Sequence, residues 1–419
     1  MTRRARYQTA TEVLLALPLP CAGLSLGLCG AGSVLLEFAR STDLAASGGE
    51  GWPPSSRRLT AALEGVALAH TIAGAAVWVP FTASRLCLSA GRAQLRAELR
   101  VPLQCFAFGA WQMALMFAAA RLIGPAASNA AATALVHAGA ALQLLILANF
   151  LHRCRREGER PAPFWNPPTV NCAATAIVAA ELGAAPWLPL TSMGLALLLQ
   201  LLLTPPQVWR VLRDHRGVSA SAAVGMMQAP CSLTSMTWGA LRRKGYTALL
   251  LDRHADNAVQ HTLFGLGTLV LWLNFYAVWR RRRQIRERGF GLDWVAWTFP
   301  SCSSAVAAMQ YSGLGSHGPL FAESGGSRSA AGGAGGEESA DVSPQIDLAS
   351  PWYDGKGDDS SFWLVLLQIY GVTLGVLAYT IVLFVFAGVC RHALAALFAM
   401  PTPREPDIAE GNPPSAASI

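Results

Sequence analysis

Charge is scarce in this chain. Asp, Glu, Lys and Arg make up 14% of its 419 residues, against about 25% in ordinary soluble domains. So small a supply excludes a large water-exposed surface, and with it a string of soluble domains. Catalytic signatures are missing too. There is no HExxH, no nucleophile elbow, no phosphate loop and no pair of acids at a useful spacing, so an enzyme is not expected. The nine cysteines form no CxxC and lie mostly in apolar stretches. They read as small packing residues, with no metal, cofactor or disulfide framework implied.

Apolar residues fill the gap, at 53% of the chain, with a mean hydropathy of +0.35. Ten apolar stretches stand out, near 13–36, 61–81, 102–122, 129–151, 169–185, 188–204, 219–240, 258–279, 292–312 and 362–389. Most approach the ~20 residues that a spanning helix needs. Pro186 and Pro189 make the fifth and sixth short and broken. The expected fold is all-α and integral to a membrane, with ten transmembrane helices arranged as five hairpins. An even number puts both termini on one side. If that side is cytoplasmic, the inside segments hold 22 of the 32 Lys and Arg, as the positive-inside bias requires. One outside loop, 241–257, runs against the bias with Arg242, Arg243, Lys244 and Arg253. The net charge of +7 is thus a topology signal. Six arginines between 280 and 288 fit lipid headgroups better than nucleic acid. Arg3, Arg4 and Arg6 before an apolar run imitate a signal peptide, but no small-x-small site follows, so the run is read as a retained first span.

The segments divide accordingly. Residues 1–12 form a short cytoplasmic tail, 13–312 hold spans one to nine, and 362–389 the tenth. Residues 313–361, rich in Gly, Ser and acid, are expected to be a flexible external loop, and 390–419 a disordered cytoplasmic tail. Prolines gather in odd-numbered spans: Pro18 and Pro20 in the first, Pro102 opening the third, Pro167 and Pro168 opening the fifth, Pro230 in the seventh and Pro300 in the ninth. A proline within a span bends it and frees a carbonyl, which lipid tolerates only where protein or a watery path satisfies it. One helix of each hairpin is therefore expected to be bent and internal, its partner straighter and lipid-facing. Phe299 directly precedes Pro300, a bulky ring placed to plug something; the plainer alternative is a packed core aromatic.

Five segments together resemble the slow-type anion channel, tellurite-resistance and dicarboxylate transporter family. They are LPLPCAGLSLGLCGAGSVL, RAELRVPLQCFAFGAWQMALMF, FWNPPTVNCAATAIVAAELG, VSASAAVGMMQAPCSLTSMTW and, most specific, DWVAWTFPSCSSAVAAMQYS. The resemblance implies a homotrimer in which each protomer has its own pore. Inner, odd-numbered helices would surround that pore in a quasi-fivefold arrangement, with a phenylalanine of the ninth span occluding it. By motif, that gate is Phe299. Chloride, nitrate and malate are the anions implied, and the plasma membrane the location. Three features depart from plant-type relatives, one being a 313–361 insertion longer than usual. Gly109-Ala110 stand where many have a proline, and only about a dozen residues precede the first span, so kinase control through a long N-terminal tail is not expected.

An anion crossing hydrocarbon needs donors in place of its hydration shell, held weakly enough to release it. Candidate lining hydroxyls are Ser219, Ser221, Ser232, Thr234, Ser235, Thr298, Ser301, Ser303 and Ser304. No ring of fixed Lys or Arg is evident in the inner spans, so weak binding and selection by pore width are expected. Glu64, His70, His137 and His261 fall in even-numbered spans; structural pairing is favoured for them over proton coupling. Glu181 and Asp293 fall near span ends. Two alternatives stay open. One is a proton-coupled carrier for dicarboxylate, sulfite or tellurite on the same fold. The other is a small-solute transporter with a Pro-Gln loop, on the strength of Pro206-Gln207.

Overall fold

The computed structural model describes residues 20–47, 55–122, 129–213, 222–288, 292–312 and 359–397. Every regular element among them is helical. In chain order these are α1 (Pro20–Ser47), α2 (Ser55–Leu86), α3 (Ser89–Glu98), α4 (Pro102–Leu122), α5 (Asn129–Glu157) and α6 (Asn166–Glu181). There follow α7 (Trp187–Arg213), α8 (Ala229–Arg243), α9 (Arg253–Arg280), α10 (Arg282–Arg288), α11 (Thr298–Tyr311) and α12 (Asp359–Leu397). Short 3-10 segments lead into α6, α8 and α11, at Pro163–Trp165, Ala222–Gln228 and Leu292–Trp297.

Six helices (α1, α2, α5, α7, α9 and α12) are long and apolar enough to cross a membrane. Burial separates them. The apolar window of α1 is 83% buried in the protein, whereas those of the other five are only 22% to 33% buried. A helix that is apolar all round yet bare on most sides belongs in lipid. Helices α6, α8 and α11 side with α1: residues 166–180, 229–241 and 298–309 are all buried.

The buried helices touch in a closed cycle. Helix α1 packs on α4, α4 on α6, α6 on α8, α8 on α11, and α11 back on α1. Their registers run parallel. Gly23, Gly27 and Gly30 of α1 lie against Val295, Thr298 and Cys302 of the ninth span. Between α6 and α8, Asn166 bonds the Met226 carbonyl and Thr237 the Ala173 carbonyl. All five helices therefore run toward the same mouth of the ring. The outer helices cover the seams and run the other way: Ser25 of α1 bonds Gly74 of α2, while Gly32 lies against Ala67.

Helices α8 and α11 have only 15 and 14 α-helical residues. The stretched 3-10 turns before them, 7 and 6 residues long, restore the reach. At about 2.0 Å per 3-10 residue and 1.5 Å per α residue, each unit spans roughly 33–36 Å, enough for a ~30 Å core. The prolines mark the junctions. Pro230 is the second residue of α8, Pro300 the third of α11, and Pro167 and Pro168 the second and third of α6. They occupy first turns and not helix interiors, because a first turn has no intrahelical acceptor for the N–H that proline lacks. Pro20 opens α1, and Pro18 lies outside the described residues.

Other boundaries differ from the sequence expectation. Helix α1 continues to Ser47, and α12 runs for 39 residues, from inside the expected loop to beyond 389. The 1–12 tail, most of the 313–361 loop and the end of the 390–419 tail lie outside the described residues. Helix α7 carries Pro205 and Pro206 in its interior, so Pro206-Gln207 is helical here and forms no loop. Gly109 allows α4 and α6 to meet closely: a β-carbon there would stand 2.5 Å from the Pro167 carbonyl carbon.

Candidate functional site

Phe299 is the second residue of α11 and is 6% exposed. Its ring lies 5.8 Å, centroid to centroid, from that of Phe117 on α4, tilted by 47°. Gly30 of α1 provides its seat: a β-carbon there would stand 3.2 Å from Phe299 Cδ2 and 3.0 Å from Cys302 Cβ. Helices α4 and α11 flank α1 in the cycle and each packs on it. A contact between their side chains therefore bridges the two neighbours of α1.

The expected lining hydroxyls divide. Ser232 and Ser303 come together, their oxygens 2.6 Å apart across the α8–α11 seam, and Ser303 also donates to the Pro300 carbonyl at 3.0 Å. Ser304 donates to the same carbonyl at 2.7 Å and accepts from the buried Gln228 amide. Thr298 donates to Val295 O at 2.8 Å. Thr234 turns outward and donates to Gln200 of α7 at 2.7 Å. Ser301 is buried. Ser235 is buried without a hydrogen-bond partner among the described residues, and lines with Ser232, Ser304 and Tyr370 a small cavity between α8, α11 and the outer helices α9 and α12. Ser219 and Ser221 lie outside the described residues.

The ionisable residues of the outer helices find local uses. The His70 ring nitrogen pairs with the Val66 carbonyl and that of His137 with the Thr133 carbonyl, both at 2.8 Å. His261 meets the Tyr311 hydroxyl of α11 at 2.5 Å. Glu64 is exposed on α2, on the side where lipid would lie. No side-chain environment is described for Asp293.

Reading the sequence missed a polar cluster where α4, α6, α8 and α11 end beside α1. Glu37 of α1, 3% exposed, accepts from Arg40 at 3.0 Å and from Gln310 of α11 at 3.2 Å. Arg121 of α4 donates to the Cys29 carbonyl at 3.0 Å and to the hydroxyls of Ser33 and Thr71. It also interacts electrostatically with Glu37, Arg40 and Glu181. Arg243 of α8 stands one turn beyond Gly239, which lies against Gln310, and is within electrostatic reach of the same three charges. Every ring helix contributes: Glu37 and Arg40 from α1, Arg121 from α4, Glu181 from α6, Arg243 from α8 and Gln310 from α11. Helical periodicity places Glu37, Arg121 and Gln310 on the same faces as Gly30, Phe117 and Phe299 respectively, farther along the same wall. Arg243 is one of the charges that ran against the positive-inside bias, and that exception was the available signal. Phe117 was quoted within a recognised segment but carried no mark that set it apart.

Residues 18–325 match the family described as voltage-dependent anion channel. The chain belongs to that family. No curated protein matches it. The match takes in all five ring helices and leaves α12 outside. Membership in the voltage-dependent anion channel family makes this an integral membrane protein of a channel and transporter superfamily for anions. Both Phe299 and the polar cluster lie within the matched region.

Proposed function

We propose that the chain forms an anion channel whose pore runs along the axis of the ring, in a ten-helix, quasi-fivefold arrangement, and is closed at Phe299. Small anions, chloride and nitrate first and malate next, are the proposed permeants. One observation carries this reading. Phe299 and Phe117 meet from the two helices that flank α1, which supports a pair of rings that fills the interior where a pore would run. The parallel ring adds a reason for anions. Five helix N-termini gather at one mouth, three of them behind 3-10 turns, where the macrodipoles favour negative charge. The Phe pair meets Gly30 and brings no fixed charge of its own, which suits weak, reversible passage. Cytoplasmic termini, a plasma-membrane location and assembly as a homotrimer belong to the same proposal.

The test is current through purified protein in planar bilayers under a chloride/nitrate gradient, wild type beside Phe299→Ala. Large mutant currents reversing near the anion equilibrium potential are expected. If Phe299→Ala inserts correctly and stays silent, while solute uptake follows a pH gradient, the pore reading fails. The protein is then a proton-coupled carrier for dicarboxylate, sulfite or tellurite.

A further inference from the structure

The cluster at the C-terminal mouth poses an electrostatic problem. Helices α4, α6, α8 and α11 end there with unpaired carbonyls, equivalent to about half a negative charge per helix, while α1 runs on past it to Ser47. An anion passing between four such ends meets repulsion unless cations offset it. The cluster supplies three arginines, Arg40, Arg121 and Arg243, against two carboxylates, Glu37 and Glu181. The arginines are not equally engaged. Arg40 is paired with Glu37 at 3.0 Å. The hydrogen bonds of Arg121 go to neutral acceptors, and among the described residues neither Arg121 nor Arg243 forms an ion pair. Glu37, for its part, is a buried carboxylate with one oxygen held by Arg40 and Gln310 and the other, Oε2, without a hydrogen-bond partner among the described residues.

We propose that this mouth is an anion-binding site in which Arg121 and Arg243 take a planar oxyanion, and that Glu37 is its built-in competitor. The inference rests on the pore reading for its purpose and on the cluster geometry for its chemistry. A guanidinium presents a planar fork of donors that matches the paired oxygens of nitrate or a carboxylate better than a spherical halide. The cluster already holds one carboxylate, that of Glu37, between an arginine and an amide donor. Ser33, which Arg121 holds, lies one turn before Glu37, and Gln310, which holds Glu37, rests against Gly239 one turn before Arg243, so both guanidiniums gather beside that carboxylate. Removing its charge leaves more of theirs for a diffusible ligand, while a glutamine in its place still accepts from Arg40 and Gln310.

The experiment measures binding without transport. Full-length protein in detergent is melted against rising sodium nitrate, with sodium chloride making up constant ionic strength, and the series is repeated with sodium malonate. Both oxyanions are expected to raise Tm saturably. Half-saturation should weaken at least tenfold in Arg243→Gln, by less in Arg243→Lys, and should tighten at least threefold in Glu37→Gln. If Arg243→Gln fails to fold, the other two variants carry the test. No saturable stabilisation by nitrate over chloride, or a half-saturation unmoved in Glu37→Gln, overturns the proposal. The two ideas fail separately. Bilayers silent for Phe299→Ala with nitrate binding intact remove the pore and keep the site. Currents through Phe299→Ala without nitrate binding keep the pore and remove the site.

Discussion

Gly30→Ala tests the gate from the side of its seat. The added β-carbon would stand 3.0 Å from Cys302 Cβ and 3.2 Å from Phe299 Cδ2, tighter than ordinary carbon contact at about 3.5–4.0 Å. One neighbour must yield. Cys302 Cβ is fixed to a helix buried on all sides, whereas the Phe299 ring hangs on rotatable bonds. The strain therefore falls mainly on the seated rotamer. Overpacking of this kind costs about 1–3 kcal/mol. If that cost is borne by the closed state alone, the open-to-closed ratio rises about 5- to 150-fold. Single-channel recording in bilayers reads the ratio directly as open probability, with unit conductance as a control on pore width. The effect should vanish in the Gly30→Ala/Phe299→Ala double variant, because the strained partner is gone. An open probability that is unchanged or lower in Gly30→Ala, in a protein whose Phe299→Ala variant conducts, would refute the reasoning that Gly30 seats the gate.

Phe117→Ala removes the other ring of the proposed constriction but leaves Phe299 on its seat, so its currents should be measurable yet smaller than those of Phe299→Ala. A double-mutant cycle on open probability should give a Phe117–Phe299 coupling of about 0.5–1.5 kcal/mol, and strict additivity would separate the two rings functionally. Away from the ring, Glu98 of α3 pairs with Arg85 of α2 at 3.0 Å, with both side chains at most 7% exposed. Glu98→Ala leaves a buried guanidinium without its carboxylate and should cost about 3–5 kcal/mol. The cost is read as a lower Tm in detergent, with no change in ion selectivity if the protein is inserted.

The sequence by itself determined the class of protein. Scarce charge and long apolar runs leave no soluble solution, and in lipid the backbone must bond within each helix. Periodic helices and their prolines were therefore legible, as was the motif around Phe299, because each is written in contiguous residues. Even the junctions could be anticipated from Pro230 and Pro300, though not that they fall in first turns after 3-10 segments. Which helices are inside was only hinted at. Helices α1 and α2 both pass as spans by hydropathy, and what separates them is how much of each the rest of the protein covers.

Tertiary structure decided the site. Gly30, Phe117 and Phe299 lie on three different helices, as do Glu37, Arg121 and Gln310, and no local spacing relates them. A lumen is a property of the ring's closure, and only closure shows which side of each helix faces inward. For that reason Thr234, a plausible lining hydroxyl in the sequence, bonds outward to α7. Arg243, which looked like a topology error, stands among the charges at the mouth. Composition fixes what must avoid water. The packing of parallel helix ends fixes where charge is tolerated, because the energy of a charge near a helix terminus depends on every other terminus and partner gathered beside it.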